Sequence, residues 1–306
     1  MEHTELAFPL VPRWRPVGSA FGRLRAARRG LGSSVATTRP YRPGDDPGMI
    51  DWKLSARLSS IRGDAEFLVR EDFADEAPRA VFVGDRAPSM SLYPDDLPWL
   101  SKPAALRCVW SAVAAASVQE LGLAGYLDTA PGEAWLPPRS SRGFDAVEER
   151  LGRVGFDGPA AGIDAAFEHL ILSRRSIPAG TFVFVCSDFL AAPRPETWLR
   201  ALGHRWDVVP VVLQDPVWEQ SFPLVDGLVI PFADPATGRL LRTRVSRKEA
   251  LRRRDANHAR LAALLQEFHS LGLDCVVIGD STPRIVQQAF TDWAEARVAN
   301  RRGEWR

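Results

Sequence analysis

The sequence predicts an α/β fold: a doubly wound, mostly parallel sheet over residues 77–306, preceded by an irregular N-terminal arm over residues 1–76. Three observations carry this. From Arg79 onward, short β-branched or aromatic runs alternate with stretches of helical period, the sequence form of a parallel sheet with crossover helices. Four of those runs lead into an acidic residue, Asp85, Asp188, Asp215 or Asp280. Before Arg79, Gly and Pro are too dense for long regular elements.

In chain order, the arm is charge-segregated. Residues 13–42 hold eight Arg and no acid, whereas residues 45–76 hold nine acids against four bases. Adjacent blocks of opposite sign neutralise each other, and a strand is expected over 66–70. Further strands are expected over 80–84, 123–127, 181–186, 208–213 and 275–278. Helices are expected over 104–121, apolar on nearly every side, and over 161–172. A long basic helix over 246–271 carries Leu261, Leu264, Leu265 and Phe268 on one stripe. The last helix opens after Ser281-Thr282-Pro283 and buries Ile285, Ala289, Phe290 and Trp293. Asp234-Pro235-Ala236-Thr237-Gly238, between two apolar runs, reads as a hairpin turn.

Composition narrows the function. With 39 Lys+Arg against 38 Asp+Glu the net charge is +1, which removes a whole-protein electrostatic case for nucleic acid or membrane. The longest uncharged apolar stretch, 108–118, is far short of the ~20 residues that span a bilayer, so no membrane insertion is expected. Cys108, Cys186 and Cys275 are odd in number and widely spaced, and residues 1–12 lack the pattern of a secretory signal, which together point to the cytoplasm. The five histidines are scattered, and there is no phosphate-binding glycine loop and no G-x-S-x-G. What remains is the acidic carboxyl edge of the sheet, the place where open α/β sheets bind ligands, and hard cations such as Mg²⁺ favour such oxygen ligands. Asp is also the ordinary residue for starting turns and capping helices at such junctions.

Tyr41-Arg42-Pro43-Gly44-Asp45-Asp46, followed by Ile50-Asp51-Trp52 and Ser55-Ala56-Arg57, resembles the signature of the bacterial DUF58 family. The likeness continues through Asp85 to Met90, Ser187-Asp188-Phe189, Asp215-Pro216 with Glu219, and Asp234 to Gly238. The resemblance implies a von Willebrand factor A (Rossmann-like) sheet with one antiparallel edge strand. It also implies a non-enzymatic adaptor working with a MoxR-type AAA+ ATPase, and with other von Willebrand A proteins, in assembly or maturation of a client.

Von Willebrand A domains hold a metal through D-x-S-x-S, a Thr from a later loop, and a final Asp. Asp85, Ser89 and Asp188 match three of these positions, but Ala87 and Ala161 replace the middle Ser and the Thr. Each lost hydroxyl removes an oxygen ligand, so the resemblance implies a degenerate site with weak Mg²⁺ binding, and hydroxyls restored at 87 and 161 should strengthen it. In the signature, Asp45, Asp46 and Asp51 are expected to accept charge-assisted bonds from Arg42 or Arg57. Tyr41, Gly44, Asp45, Asp46, Asp51, Trp52, Ser55 and Arg57 then form either an internal clamp or a docking surface. The clamp, which implies a buried Trp52, is favoured because Asp and Arg so close in sequence can satisfy each other locally. A metal-dependent hydrolase using the acidic edge, and a nucleic-acid-binding protein using the arginine-rich segments, are the alternatives.

Overall fold

The apolar runs become strands of one six-stranded sheet. The structure, a computed structural model, describes residues 6–13, 21–43, 45–62, 67–92, 99–132, 134–234, 237 and 239–303. The sheet contains β3 (Arg79–Gly84), β4 (Leu123–Asp128), β5 (Leu136–Arg139), β6 (Phe182–Ser187), β7 (Asp207–Leu213) and β10 (Val276–Ile278), in the order β10-β7-β6-β3-β4-β5. All neighbours are parallel except β5, which runs antiparallel to β4 at the edge. The five strands expected here fall within a residue or so of their observed limits, because strands buried on both faces are continuous apolar runs.

Alternate side chains divide the core into two layers. Phe82, Phe184, Val209 and Val211 face α2 (Lys102–Gln119) and α7 (Pro283–Gly303). Val81, Val83, Val183, Val185 and Val212 face α4 (Gly162–Leu172), α5 (Pro195–Gly203) and α6 (Arg247–Ser270). Helices on both faces make the sheet doubly wound. With α1 (Trp52–Arg62) and α3 (Phe144–Arg153) there are seven α-helices among the described residues, and none is long and apolar enough to cross a membrane. Ile285, expected in the buried stripe of α7, is half exposed. Gly122 is needed where α2 turns into β4, since a Cβ there would lie 2.5 Å from the Pro78 carbonyl oxygen.

The arm is not irregular. β1 (Phe21–Pro40) pairs antiparallel with β2 (Leu68–Glu76), and four register shifts interrupt the ladder. Bulges tolerate glycine inside a strand, which is how Gly22, Gly30 and Gly32 fit where their density argues against one. Upstream, Phe8 is buried and stacks on Phe290 at 4.5 Å between centroids. Arg297 holds the same segment: its guanidinium forks onto Asp207 at 2.8 and 2.9 Å and also donates to the Val11 carbonyl.

β8 (Leu228–Ala233) and β9 (Leu240–Val245) form a separate antiparallel hairpin ahead of α6. Its turn is closed by the Asp234 N–H donating to the Arg239 carbonyl and by Thr237 Oγ1 donating to Asp234. Pro235, Ala236 and Gly238 of the expected turn lie outside the described residues.

Candidate functional site

β3 and β6 end level, with Gly84 opposite Cys186, so Asp85 and Asp188 emerge on the same carboxyl edge. The Asp85 carboxylate accepts from Ser187 Oγ at 2.6 Å, the Ala87 N–H at 2.9 Å and Thr129 Oγ1 at 3.3 Å. Beside it, Lys102 Nζ donates to Glu219 Oε1 at 2.6 Å, Asp188 Oδ2 at 2.8 Å and the Ser89 backbone carbonyl at 3.2 Å. Lys102 is 0% exposed and Asp188 1%.

Local structure explains how a lysine comes to be there. Ser101 caps α2 by accepting from the Ala104 N–H, and Pro103 sits in the first turn, so Lys102 is the first helical residue. An ammonium at a helix N-terminus opposes the macrodipole, at a cost of ~0.3–1 kcal/mol. Desolvating it costs several kcal/mol more, which only close carboxylates with good hydrogen bonds offset. Glu219 is delivered by the turn after β7. There Asp215 Oδ1 accepts from the Val217 and Trp218 N–H groups, while the Asp215 N–H donates to Glu219 Oε2 at 2.9 Å. Trp99 Nε1 fixes the other Asp215 oxygen at 2.7 Å, and Gln214 Nε2 donates to the Asp188 carbonyl at 2.6 Å. Asp280, the fourth strand-end acid, accepts from the Thr282 N–H at the start of α7.

These residues do not fit Mg²⁺. Asp188 already holds an ammonium, Asp85 is occupied by two hydroxyls and an N–H, and Ser89 offers its carbonyl to Lys102. A dication beside Asp188 would meet the charge of Lys102 at contact distance. Among the described residues, no group of three or more His, Cys, Asp or Glu is arranged to hold a metal. Ala161 is exposed, and the hydroxyl beside Asp85 comes instead from Thr129, which packs so tightly on Gly162 that a Cβ there would lie 2.6 Å from its own. Hydroxyls restored at 87 and 161 therefore leave the obstacle, Lys102, in place.

The signature stretch divides in two. One part is a clamp on the backbone: Ser55, buried, donates to the Asp51 carbonyl and accepts from the Leu68 N–H, and the Asp51 N–H donates to the Leu68 carbonyl. The expected bonds from the Arg42 and Arg57 side chains are replaced. Asp45 is forked by Arg39 at 2.7 Å twice and takes the Arg42 backbone N–H, Asp46 accepts from the Gly48 N–H, and Asp51 caps α1 through the Leu54 N–H. Asp46 and Asp51 reach backbone donors two and three residues on more readily than a distant guanidinium. The other part is surface. Trp52 is 61% exposed and meets Phe67 edge-on at 5.7 Å, while Tyr41, bonded through its N–H to the Phe67 carbonyl, is also exposed. This corrects the expectation of a buried Trp52. Arg57 is exposed, and Gly44 lies outside the described residues.

A family model described as "Protein of unknown function DUF58" matches residues 37–263, from the strand entering the signature into α6. The chain belongs to the DUF58 family. Two solved structures are similar to this DUF58 chain. One is the conserved hypothetical protein BatB from Bacteroides thetaiotaomicron, with 16% identity and a TM-score of 0.41 over 71% of this chain and 99% of that one. The other is an aerotolerance-related membrane protein from Bacteroides fragilis NCTC 9343 with multiple mutations to serines, with 16% identity and a TM-score of 0.41 over 72% and 99%. No curated protein matches the chain.

The sequence reading of this DUF58 protein gives Lys102 and Thr129 no part in the site, and names Ser187 and Glu219 within the family likeness without a role. One signal is present: only three lysines occur in the chain, and Lys102 heads a helix that is buried along most of its length, between a capping Ser and a Pro. The electrostatics follow from burial. Desolvation pushes the Asp85 carboxyl up despite its hydroxyl partners, and pushes Glu219 up despite Lys102. Asp45 behaves oppositely: the Arg39 fork and the Arg42 N–H lower it to about 2. Burial raises the Cys186, Cys108 and Cys275 thiols, which suits core residues rather than nucleophiles.

Proposed function

We propose that this chain is a non-enzymatic interaction protein of von Willebrand A type that docks a MoxR-type AAA+ ATPase in the cytoplasm and assists assembly or maturation of a client. The observation that carries the reading is Trp52, 61% exposed on a stretch whose backbone is pinned by Ser55, Asp51 and the Arg39–Asp45 fork. A large aromatic held out on a rigid base loses little entropy on binding, and exposed Trp and Tyr are the usual energetic anchors of interfaces. The strand-end acids support the non-enzymatic part, since Asp188 and Glu219 are tied to Lys102 and Asp215 to its own turn. Counted from β3, the strand order is 3-2-1-4-5-6 with an antiparallel third strand, the arrangement that the von Willebrand A reading requires.

Replacing Trp52 by Ala tests this. The variant should change stability by no more than ~0.5 kcal/mol, as exposed substitutions do. Capture of the purified ATPase should fall about 30-fold, equivalent to ~2 kcal/mol for an anchor residue. A variant that binds like the parent, or that melts several degrees lower, would move the interface elsewhere.

A further inference from the structure

The β8–β9 hairpin has two unlike faces. Cross-strand partners share a face and successive residues alternate between faces. Ile230 and Phe232, opposite Thr243 and Leu241, therefore lie on one side with Val245. On that inner side Ile230, Phe232 and Val245 cluster with Trp218 and Phe222, and Arg253 lies over the Phe232 ring at 4.7 Å. The outer side carries Val229, Pro231 and Ala233 opposite Arg244, Arg242 and Leu240. All six are exposed, Val229 at 59% and Leu240 at 64%, and neither arginine makes an ion pair among the described residues. Next to the turn the exposure passes to the inner side as well, where Leu241 is 63% exposed. A single exposed leucine needs no explanation, but an apolar strand-pair face with two unpaired cations does.

The size and shape of this face select its occupant. Six residues on two strands cover roughly 200 Å², from ~3.4 Å per residue and ~4.8 Å between strands, against the ~800 Å² that each partner buries in a standard protein interface. A second copy laid on the face would meet Arg242 and Arg244 with the same arginines. A protein surface pressed on the outer side would also leave Leu241 in water, because Leu240 and Leu241 are consecutive and point to opposite sides. The interfacial layer of a bilayer has neither restriction. A hairpin end dipped into it is surrounded, so both leucines leave water together and no complementary area is needed. Charge agrees with this. Leu240 and Leu241 are bracketed by Arg239 and Arg242, whose long stems can lie along the apolar region while their guanidinium groups stay at phosphate depth. Anionic leaflets attract each arginine so placed. The acid of the turn, Asp234, accepts from Thr237 Oγ1.

We infer that the β8–β9 hairpin docks the protein on an anionic phospholipid surface, with Leu240 and Leu241 at the headgroup–acyl boundary and Arg239, Arg242 and Arg244 on lipid phosphates. This is peripheral attachment by a strand pair, and it needs no helix able to cross the membrane. The net charge of +1 does not oppose it, since the attraction acts only within about 10 Å and the charges near the hairpin end decide it. None of the signature residues takes part.

Cosedimentation of the full chain with sucrose-loaded vesicles tests this. The protein should bind phosphatidylcholine vesicles containing about one-third phosphatidylglycerol at least tenfold more tightly than phosphatidylcholine alone, and less tightly as salt rises. Leu240→Ser combined with Leu241→Ser, and separately Arg242→Glu combined with Arg244→Glu, should each weaken binding at least tenfold. All four positions are exposed, so both variants should melt like the parent. Arg174→Glu combined with Arg175→Glu, an equal charge change at exposed positions between α4 and β6, should leave binding within twofold. The inference is overturned if the parent does not pellet with the anionic vesicles, if the Arg174 and Arg175 reversal costs as much as the hairpin reversal, or if the leucine variant binds like the parent. Soluble polyglutamate bound by the parent and lost on the Arg242 and Arg244 reversal, without vesicle binding, would assign the face to an acidic protein and overturn it too. The readout contains no ATPase, and Trp52→Ala should not change it, so failure here is distinguishable from failure of the signature interface.

Discussion

Lys102→Met should destabilise the protein by about 3–5 kcal/mol, the cost of removing one partner from a buried ion cluster, out of a total near ~5–15 kcal/mol. The fall in melting temperature should be on the order of 10 °C. Methionine fills the volume of the lysine stem, so the loss reports the charge: Asp188 and Glu219 remain buried without the ammonium at 2.8 and 2.6 Å. Neutralising the acids as well, with Asp188→Asn and Glu219→Gln, should recover much of the loss, because a cluster replaced as a whole is far less costly than one broken. The pH dependence has a definite sign. Burial already raises the Glu219 carboxyl above its ordinary value of 4.5, and removing Lys102 raises it further. A carboxyl raised in the folded state contributes stability that is present below 4.5 and lost as pH climbs through its folded value, so the deficit of Lys102→Met should be larger at pH 8 than at pH 5. Chemical denaturation at the two pH values measures this, and a deficit independent of pH would contradict it.

Arg297→Met should cost a similar ~3–5 kcal/mol from the opposite end of the sheet. Arg297 is buried over the Trp293 ring at 4.3 Å and forks onto Asp207, which is 1% exposed, with a further bond to Asp274 at 2.9 Å. Without it, Asp207 keeps, among the described residues, the Arg13 N–H at 2.6 Å, and Val11 loses its Arg297 donor. The segment around Phe8 should then loosen, so limited proteolysis ought to cut before Arg13 well before global unfolding. Arg297→Lys should rescue little, because an ammonium cannot make the fork. The two clusters share no partner, so the Lys102→Met and Arg297→Met losses should add within ~0.5 kcal/mol. A loss under ~1 kcal/mol for Arg297→Met would mean that the cluster is replaceable by water.

Both clusters mark where reading the sequence stops. The central strands are legible because a run such as Val81-Phe82-Val83 must be buried on both faces. β5 is not legible: its Pro137 and Pro138 argue against a strand and fit only because the edge needs no donor on its outer side. The short helices α3 and α5 are not legible either, and α1 lies in a stretch whose Gly and Pro density argues against regular structure, although Asp51 is an ordinary cap for it. The convergence of Asp85 and Asp188 follows from strand neighbours and was legible. What fills the space beside them was not, since nothing local says that the side chain of Lys102 will be the cation brought to Asp188 from another element. The exposure of Trp52 was misread for a related reason. Its neighbours satisfy their bonds through the backbone, so no side-chain network encloses the ring.

The central claim is that Lys102, and not a metal ion, neutralises the acidic carboxyl edge of the sheet. Calorimetric titration of Mn²⁺ into the parent protein and into Ala87→Ser combined with Ala161→Thr tests it most directly. The account predicts no saturable heat in either protein while Lys102 is present. Stoichiometric binding abolished by Asp188→Ala would contradict it.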